Sequence, residues 1–301
     1  MPVVLLYALV VLIWGSTWSA IPFQLGIVPP EVSVAYRFAI AAAILFLIAR
    51  LSGRPLGVSR AHYPMVALQG ALLFSANYFF VYYGTAHVTS GLGAVIFSLI
   101  VLANAFLERL FFRTPLEGRL LLAAACGLTG IGLVFWPEVS SLSPGDDAVI
   151  GIAWLLLGIL MASLGNMAAV VNTRRDQSVM TVNAHAMAWG ALTSALIAWL
   201  LGRPFVFDGG VGYVVSLCYL AILGSSLAFG AYLTLIRRIG SARAAYASVL
   251  FPVVALALSH WLEDYHFTAL AIAGIILTMI GNWLALSRYR RVDDTAASKY
   301  V

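Results

Sequence analysis

The chain has 301 residues, of which 62% are hydrophobic and 10% charged, and its mean hydropathy is +0.97; a soluble globular domain carries roughly 25% charged residues. So little polar surface excludes a soluble enzyme, a disordered chain and a secreted disulfide scaffold. Because the apolar excess runs along the whole length, it also excludes one anchor on a soluble domain, and what remains is an all-α, polytopic membrane protein. The net charge of +5 does not point to nucleic acid, since the basic residues fall in short loops between apolar runs, where membrane topology accounts for them.

A helix needs about 20 mainly apolar residues to cross a hydrocarbon core of ~30 Å. Ten such spans are expected, at 3–21, 32–50, 63–83, 88–107, 119–136, 149–171, 181–201, 212–236, 242–262 and 267–287. The first has neither a basic leader nor a small-residue cleavage site, so it reads as a retained helix rather than a signal peptide. The longest connection is the Pro/Ser/Gly/Asp-rich stretch 137–148, and residues 288–301 form a polar tail. Cys126 and Cys218 lie inside spans and read as buried thiols. Ten spans place both termini on one side, together with 15 of the 17 Lys and Arg residues; Arg203 is alone on the other side and Arg37 lies within the second span. By the positive-inside rule the termini are cytoplasmic, which fits the plasma (inner) membrane.

The two halves echo one another. Leu51-Ser52-Gly53-Arg54-Pro55 recurs as Leu200-Leu201-Gly202-Arg203-Pro204, and Tyr63, Ser75 and Tyr82 recur as Tyr213, Ser225 and Tyr232. Ser90-Gly91 then recurs as Ser241-Ala242. With five spans, an odd number, in each half, the halves must sit in opposite orientations. That arrangement predicts a pseudo-two-fold axis in the membrane plane and a ligand site between the halves.

Polar or ionisable groups inside a span are functional candidates. Trp14 is too deep for an interfacial belt and reads as facing a cavity, with Ser16 beside it; Trp18, nearer the outer end, reads as belt. Ser75, Tyr78 and Tyr82 share a stripe of the third span next to Asn77, and Ser225 and Tyr232 form the matching stripe of the eighth. Either these groups line a cavity or they pack helices together, and for Tyr82 an aromatic belt is a further reading. Ser163 and Asn166 in the sixth span carry the same two readings. Arg37 is either an anchor for a substrate carboxylate or a structural clamp on Glu31 or helix-end carbonyls. His185 either contacts substrate or a proton, or is a satisfied buried imidazole. The small residues Gly91 and Ala94 mirror Ala242 and Ala245, so the fourth and ninth spans should cross near the pseudo-axis and rocking should occur about them. Pro252 should kink the ninth span and free a carbonyl near the cavity.

Against this background the chain resembles the EamA family of the drug/metabolite transporter superfamily. The resemblance rests on Trp14-Gly15-Ser16-Thr17, on Pro29-Pro30 followed by Ala35-Tyr36-Arg37-Phe38, and on Ala247-Ser248-Val249-Leu250-Phe251-Pro252-Val253-Val254 followed by Glu263. It covers the whole chain, with one five-helix repeat at 1–136 and a second at 149–287, and it implies a ten-helix exporter of small metabolites of the amino-acid and aromatic amino-acid type. After the fourth span the family's Gly-Glu-Arg is replaced by Phe112-Arg113-Thr114-Pro115, so Glu108 inherits no role.

No P-loop, HExxH, G-x-S-x-G or metal-spaced Cys/His cluster occurs. No enzymatic activity, metal or other cofactor is expected, and the partners are a small-molecule substrate and the lipid bilayer, with the protein working as a monomer. An exporter of neutral or aromatic amino acids by alternating access is the first reading; a proton-coupled exporter of drugs or other hydrophobic metabolites is the second. Every acidic residue falls in a loop, a tail or a helix end, leaving His185 and His260 as proton sites, so downhill flux is expected rather than proton antiport. Cysteines placed within 139–147 should label from the extracytoplasmic face; labelling from the cytoplasm would refute the ten-span topology.

Overall fold

Inside a bilayer no water is available to backbone polar groups, so each apolar run must satisfy its own N–H and C=O groups. In the computed structural model, residues 1–88, 90–134, 136, 147–173, 178–254, 257 and 268–286 are described, and all regular structure among them is helical. The first half contains α1 (Val3–Gln24), α2 (Pro30–Leu51), α3 (Arg60–Thr85), α4 (Leu92–Phe112) and α5 (Gly118–Val134). The second contains α6 (Asp147–Thr173), α7 (Val179–Leu200), α8 (Val211–Ile239), α9 (Ser241–Val254) and α10 (Ala269–Leu286). Helices α1, α2, α3, α4, α6 and α8 are each long and apolar enough to cross a membrane. α7 is more polar because Thr181, Asn183 and Ser194 are buried in the bundle. Residues 137–146 of the expected long loop, and the tail, lie outside the described residues. Cys126 and Cys218 are free thiols, but neither is fully buried as expected: Cys126 is half-buried and Cys218 exposed.

The repeat read from the sequence is a repeat of structure. α2 and α7 end on the same stop. Gly53 (φ +63°) and Gly202 (φ +64°) adopt the left-handed conformation that a side chain resists. Arg54 N–H then donates to the Ala49 carbonyl (2.9 Å) and Arg203 N–H to the Ala198 carbonyl (2.8 Å), the closure of a Schellman motif. Helices α3 and α8 both widen into a π-helical segment, Leu72–Ala76 and Ile222–Leu227.

Packing follows the same symmetry. α2 lies against α7, α4 against α9 and α5 against α10, while α1 packs on α8 as α6 packs on α3. Exchanging the halves maps this pattern onto itself, so the two inverted five-helix repeats enclose a common pseudo-axis. The α4–α9 crossing is joined by Ser98 Oγ, which donates to the Ser248 carbonyl (3.2 Å). Ala94, Ala242 and Ala245 are buried at this crossing; the surroundings of Gly91 lie outside the description. The kink expected at Pro252 takes another form. The backbone tightens to a 3-10 helix over Tyr246–Leu250, and the Ser248 carbonyl, which Pro252 cannot reach with an N–H, accepts from the Phe251 N–H and from Ser98 Oγ instead of facing the cavity.

Glu108 has a clear place. Its Oε1 accepts from the Ser241 N–H (2.7 Å) and Oγ (2.6 Å), closing the otherwise open start of α9 from the end of α4. On the same arginine-rich side Arg243 pairs with Glu117 at 2.6 Å.

The α5–α10 contact is built on absent side chains. A Cβ on Gly130 would lie 2.5 Å from the Gly274 carbonyl, and one on Gly274 would lie 2.4 Å from the Gly130 carbonyl. Gly132, on the same helix, faces open space. Gly130→Val should therefore cost about 2–3 kcal/mol through overpacking and lower the thermal midpoint in detergent, whereas Gly132→Val should leave it unchanged.

Candidate functional site

The bundle holds a cavity of about 70 Å³ lined by both halves, with walls from α1, α2, α3 and α4 on one side and α6, α8 and α9 on the other. Of the residues singled out in the sequence, Trp14, Arg37, Asn77, Tyr78, Asn166 and Tyr232 reach it.

The π-turn of α8 organises one wall. A π-turn widens the ring of backbone bonds and releases groups that a regular helix would consume. The Trp14 indole Nε1–H donates to the Gly224 carbonyl (2.8 Å), while its ring meets Phe229 edge-on (4.6 Å between centroids) and lies 4.9 Å from Tyr232. The next residue, Ser225, accepts from Arg37 Nε–H (2.9 Å). In the opposite sense, Ser194 Oγ of α7 donates to Ser75 Oγ in the π-turn of α3 (2.8 Å). Each half thus reaches from its second helix to the π-turn of the other.

Arg37 is 1% exposed, and its guanidinium carbon sits 4.4 Å from the centre of the Tyr78 ring and 5.3 Å from that of Phe38. A charge in the membrane interior costs at least ~2.5 kcal/mol when unpaired, and stacking on an aromatic face returns up to about 2 kcal/mol when desolvated. Among the described residues no carboxylate pairs with it. Glu31 is not its clamp: that carboxylate is itself 1% exposed and accepts from the Tyr83 hydroxyl. The hydroxyls of Tyr78 and Tyr82 lie near the guanidinium, yet Nη1 is sealed from solvent with no hydrogen bond to any described residue.

Two amides complete the polar wall. Asn166 Nδ2 donates to Asn104 Oδ1 (3.4 Å) and to the Tyr232 hydroxyl (3.2 Å). Asn104 Nδ2 in turn donates to the Ser241 carbonyl (3.4 Å). Asn77 Nδ2 donates to the Leu73 carbonyl (3.3 Å).

The other expected residues lie elsewhere. Ser225 acts from behind, through Arg37. Tyr82 and Ser163 are completely buried but outside the lining. Ser16 Oγ is engaged with the Tyr219 hydroxyl (2.6 Å) and its own helix carbonyls, so it joins α1 to α8. His185 is removed from the cavity: its Nε2–H donates to the Leu56 carbonyl (2.8 Å), Nδ1 faces the Tyr63 hydroxyl (3.5 Å), and Phe46 and Tyr63 pack on the ring. His260 lies outside the described residues. Conversely, Trp18 is buried at 5% exposure and lines the cavity rather than joining a belt. Phe97, Phe229 and Phe251 also line it; nothing in their local sequence distinguishes them from other apolar residues of a span. Ser225→Ala should strand a buried guanidinium N–H and cost about 1–3 kcal/mol, seen as a lower thermal midpoint of the purified protein.

Comparison with known proteins agrees with this architecture. The "EamA-like transporter family" profile matches residues 1–136 and again 149–287. Relatives include the "Probable amino-acid metabolite efflux pump" of Escherichia coli, 27% identical over 92% of each chain. "Protein PagO" of Salmonella typhimurium is 24% identical over 94% of this chain and 92% of its own, and the "Uncharacterized transporter YoaV" of Bacillus subtilis is 23% identical over 94% and 96%. One crystal structure, 18% identical, superposes with a TM-score of 0.77 over 95% of this chain and 96% of its own. With both halves matched, this chain belongs to the EamA-like transporter family.

Proposed function

We propose that the protein exports small amphipathic metabolites, neutral or aromatic amino acids above all, by alternating access through the central cavity, as a monomer in the plasma membrane with both termini cytoplasmic. The observation that carries this reading is the chemistry of the cavity wall. It offers aromatic faces, amides and hydroxyls, and Arg37 is the single charged residue in the lining among the described residues. A sugar phosphate or nucleotide would want several cationic groups. The efflux-pump relative in Escherichia coli supports the same class. At about 70 Å³ the cavity is well below the ~300–1,000 Å³ of a ligand pocket, so admitting an amino acid requires the halves to part, which is the motion alternating access supplies.

Transport runs down the substrate gradient. Among the described residues the lining contains neither a carboxylate nor an imidazole, so these offer a proton no site in the cavity to share with substrate. Glu31, in the first turn of α2, is buried but lies outside the lining and accepts from the Tyr83 hydroxyl. Inside-out vesicles and proteoliposomes given a panel of labelled amino acids, sugar phosphates and hydrophobic drugs should show amino-acid flux that is indifferent to an imposed pH gradient. Flux of drugs alone would overturn the substrate class. Proton-driven accumulation abolished by Glu31→Gln or His185→Ala would overturn the coupling.

A further inference from the structure

Resting on that reading, we propose a headgroup subsite in which Arg37 takes the substrate's carboxylate and the amide oxygens of Asn77 and Asn166 take its ammonium group. Three buried polar atoms of the lining residues lack a partner among the described residues: Arg37 Nη1, Asn77 Oδ1 and Asn166 Oδ1. Buried polar groups are almost always satisfied, so three orphans on residues of one cavity mark where a ligand completes the bonding.

Their identities are set by the chain itself. Arg37 spends Nε on Ser225 and keeps Nη1, a donor that can only meet an acceptor; a guanidinium edge matches a carboxylate in shape and charge. The amide orientations are equally determined. The Ser241 carbonyl can only accept, so Asn104 turns its Nδ2 toward it and presents Oδ1 to Asn166. Asn166 must then donate, and its own Oδ1 is left over. The Leu73 carbonyl, inside the π-turn of α3, orients Asn77 in the same way. The wall therefore presents one cationic donor and two neutral acceptors, the complement of a zwitterionic head.

A second consequence is charge selection. A cationic amine without a carboxylate would enter beside Arg37 with no opposite charge among the described lining residues to offset the repulsion. A monocarboxylate without an amine would gain Arg37 but leave both amide oxygens unpaired. The apolar remainder of the wall, Trp14, Trp18, Phe97, Phe229 and Phe251, faces the side chain and tolerates any neutral one.

The test uses the full-length protein in proteoliposomes, with inhibition of labelled phenylalanine and leucine flux by each amino acid's methyl ester, its decarboxylated amine and its deaminated acid. For the unaltered protein the ester and the amine should inhibit at least tenfold more weakly than the amino acid, with the acid in between. Arg37→Gln should erase the preference for amino acid over ester, and Arg37→Lys should restore part of it. Asn77→Leu and Asn166→Leu should each erase the preference for amino acid over acid while keeping discrimination against the ester. An ester or amine as potent as the amino acid on the unaltered protein would overturn the subsite without any variant having to fold, and would leave amino-acid export standing. Absence of flux for every amino acid in the panel would overturn both.

Discussion

Two wide turns, one in the third helix of each half, set the geometry of the cavity. In a bilayer a helix must consume its own hydrogen-bonding groups, and a regular one would leave nothing for a neighbour or a ligand. The π-segments Leu72–Ala76 and Ile222–Leu227 relax that requirement at equivalent places. From the second come the Gly224 carbonyl that fixes Trp14 and the Ser225 hydroxyl that fixes Arg37. From the first come the Leu73 carbonyl that orients Asn77 and the Ser75 hydroxyl that ties down Ser194. Gly224 also has to be small, since a Cβ there would lie 3.0 Å from the Thr17 methyl and 3.4 Å from Arg37 Nη2.

Arg37 is held without being neutralised. A hydrogen bond to Ser225 and two aromatic faces restrain it, and the counter-ion the sequence suggested, Glu31, is occupied by Tyr83. A structural ion pair would have cancelled the charge at that depth and removed it from use. Keeping the carboxylate on a tyrosine and the guanidinium on a serine separates the charges and preserves a positive field at the cavity.

Much of this was legible in the sequence because bilayer physics writes plainly. Span length, arginine asymmetry and the recurring Gly-Arg-Pro stop all reflect one-dimensional constraints, and α2, α7 and their glycine ends follow directly from them. Trp14, Arg37, Asn77 and Asn166 stood out because polar or bulky groups inside an apolar run need a reason. Trp18 was misplaced since depth along a helix says nothing of which way the helix faces. The phenylalanines of α4, α8 and α9 were invisible because an apolar residue facing a cavity and one facing lipid look alike. Glu31 was readable only as an acid at a helix start and a clamp partner for Arg37, and its burial against the Tyr83 hydroxyl comes from packing. The π-turns leave no compositional mark, so the reach of Ser225 to Arg37 could not be read from spacing.

The α4–α9 pair is fastened along much of its length, by Ser98 to Ser248, by Asn104 to Ser241 and by Glu108 to the start of α9. Helices joined so often resist separation. In the alternating-access cycle proposed above they would serve as an axle with the other helices as levers mounted on it, so that prying the halves apart at one mouth would press them together at the other. Because Asn104 also orients Asn166, the axle ends in the wall of the cavity itself. On that proposal, what is bound there and how the levers stand would be read by the same hydrogen-bonded rod.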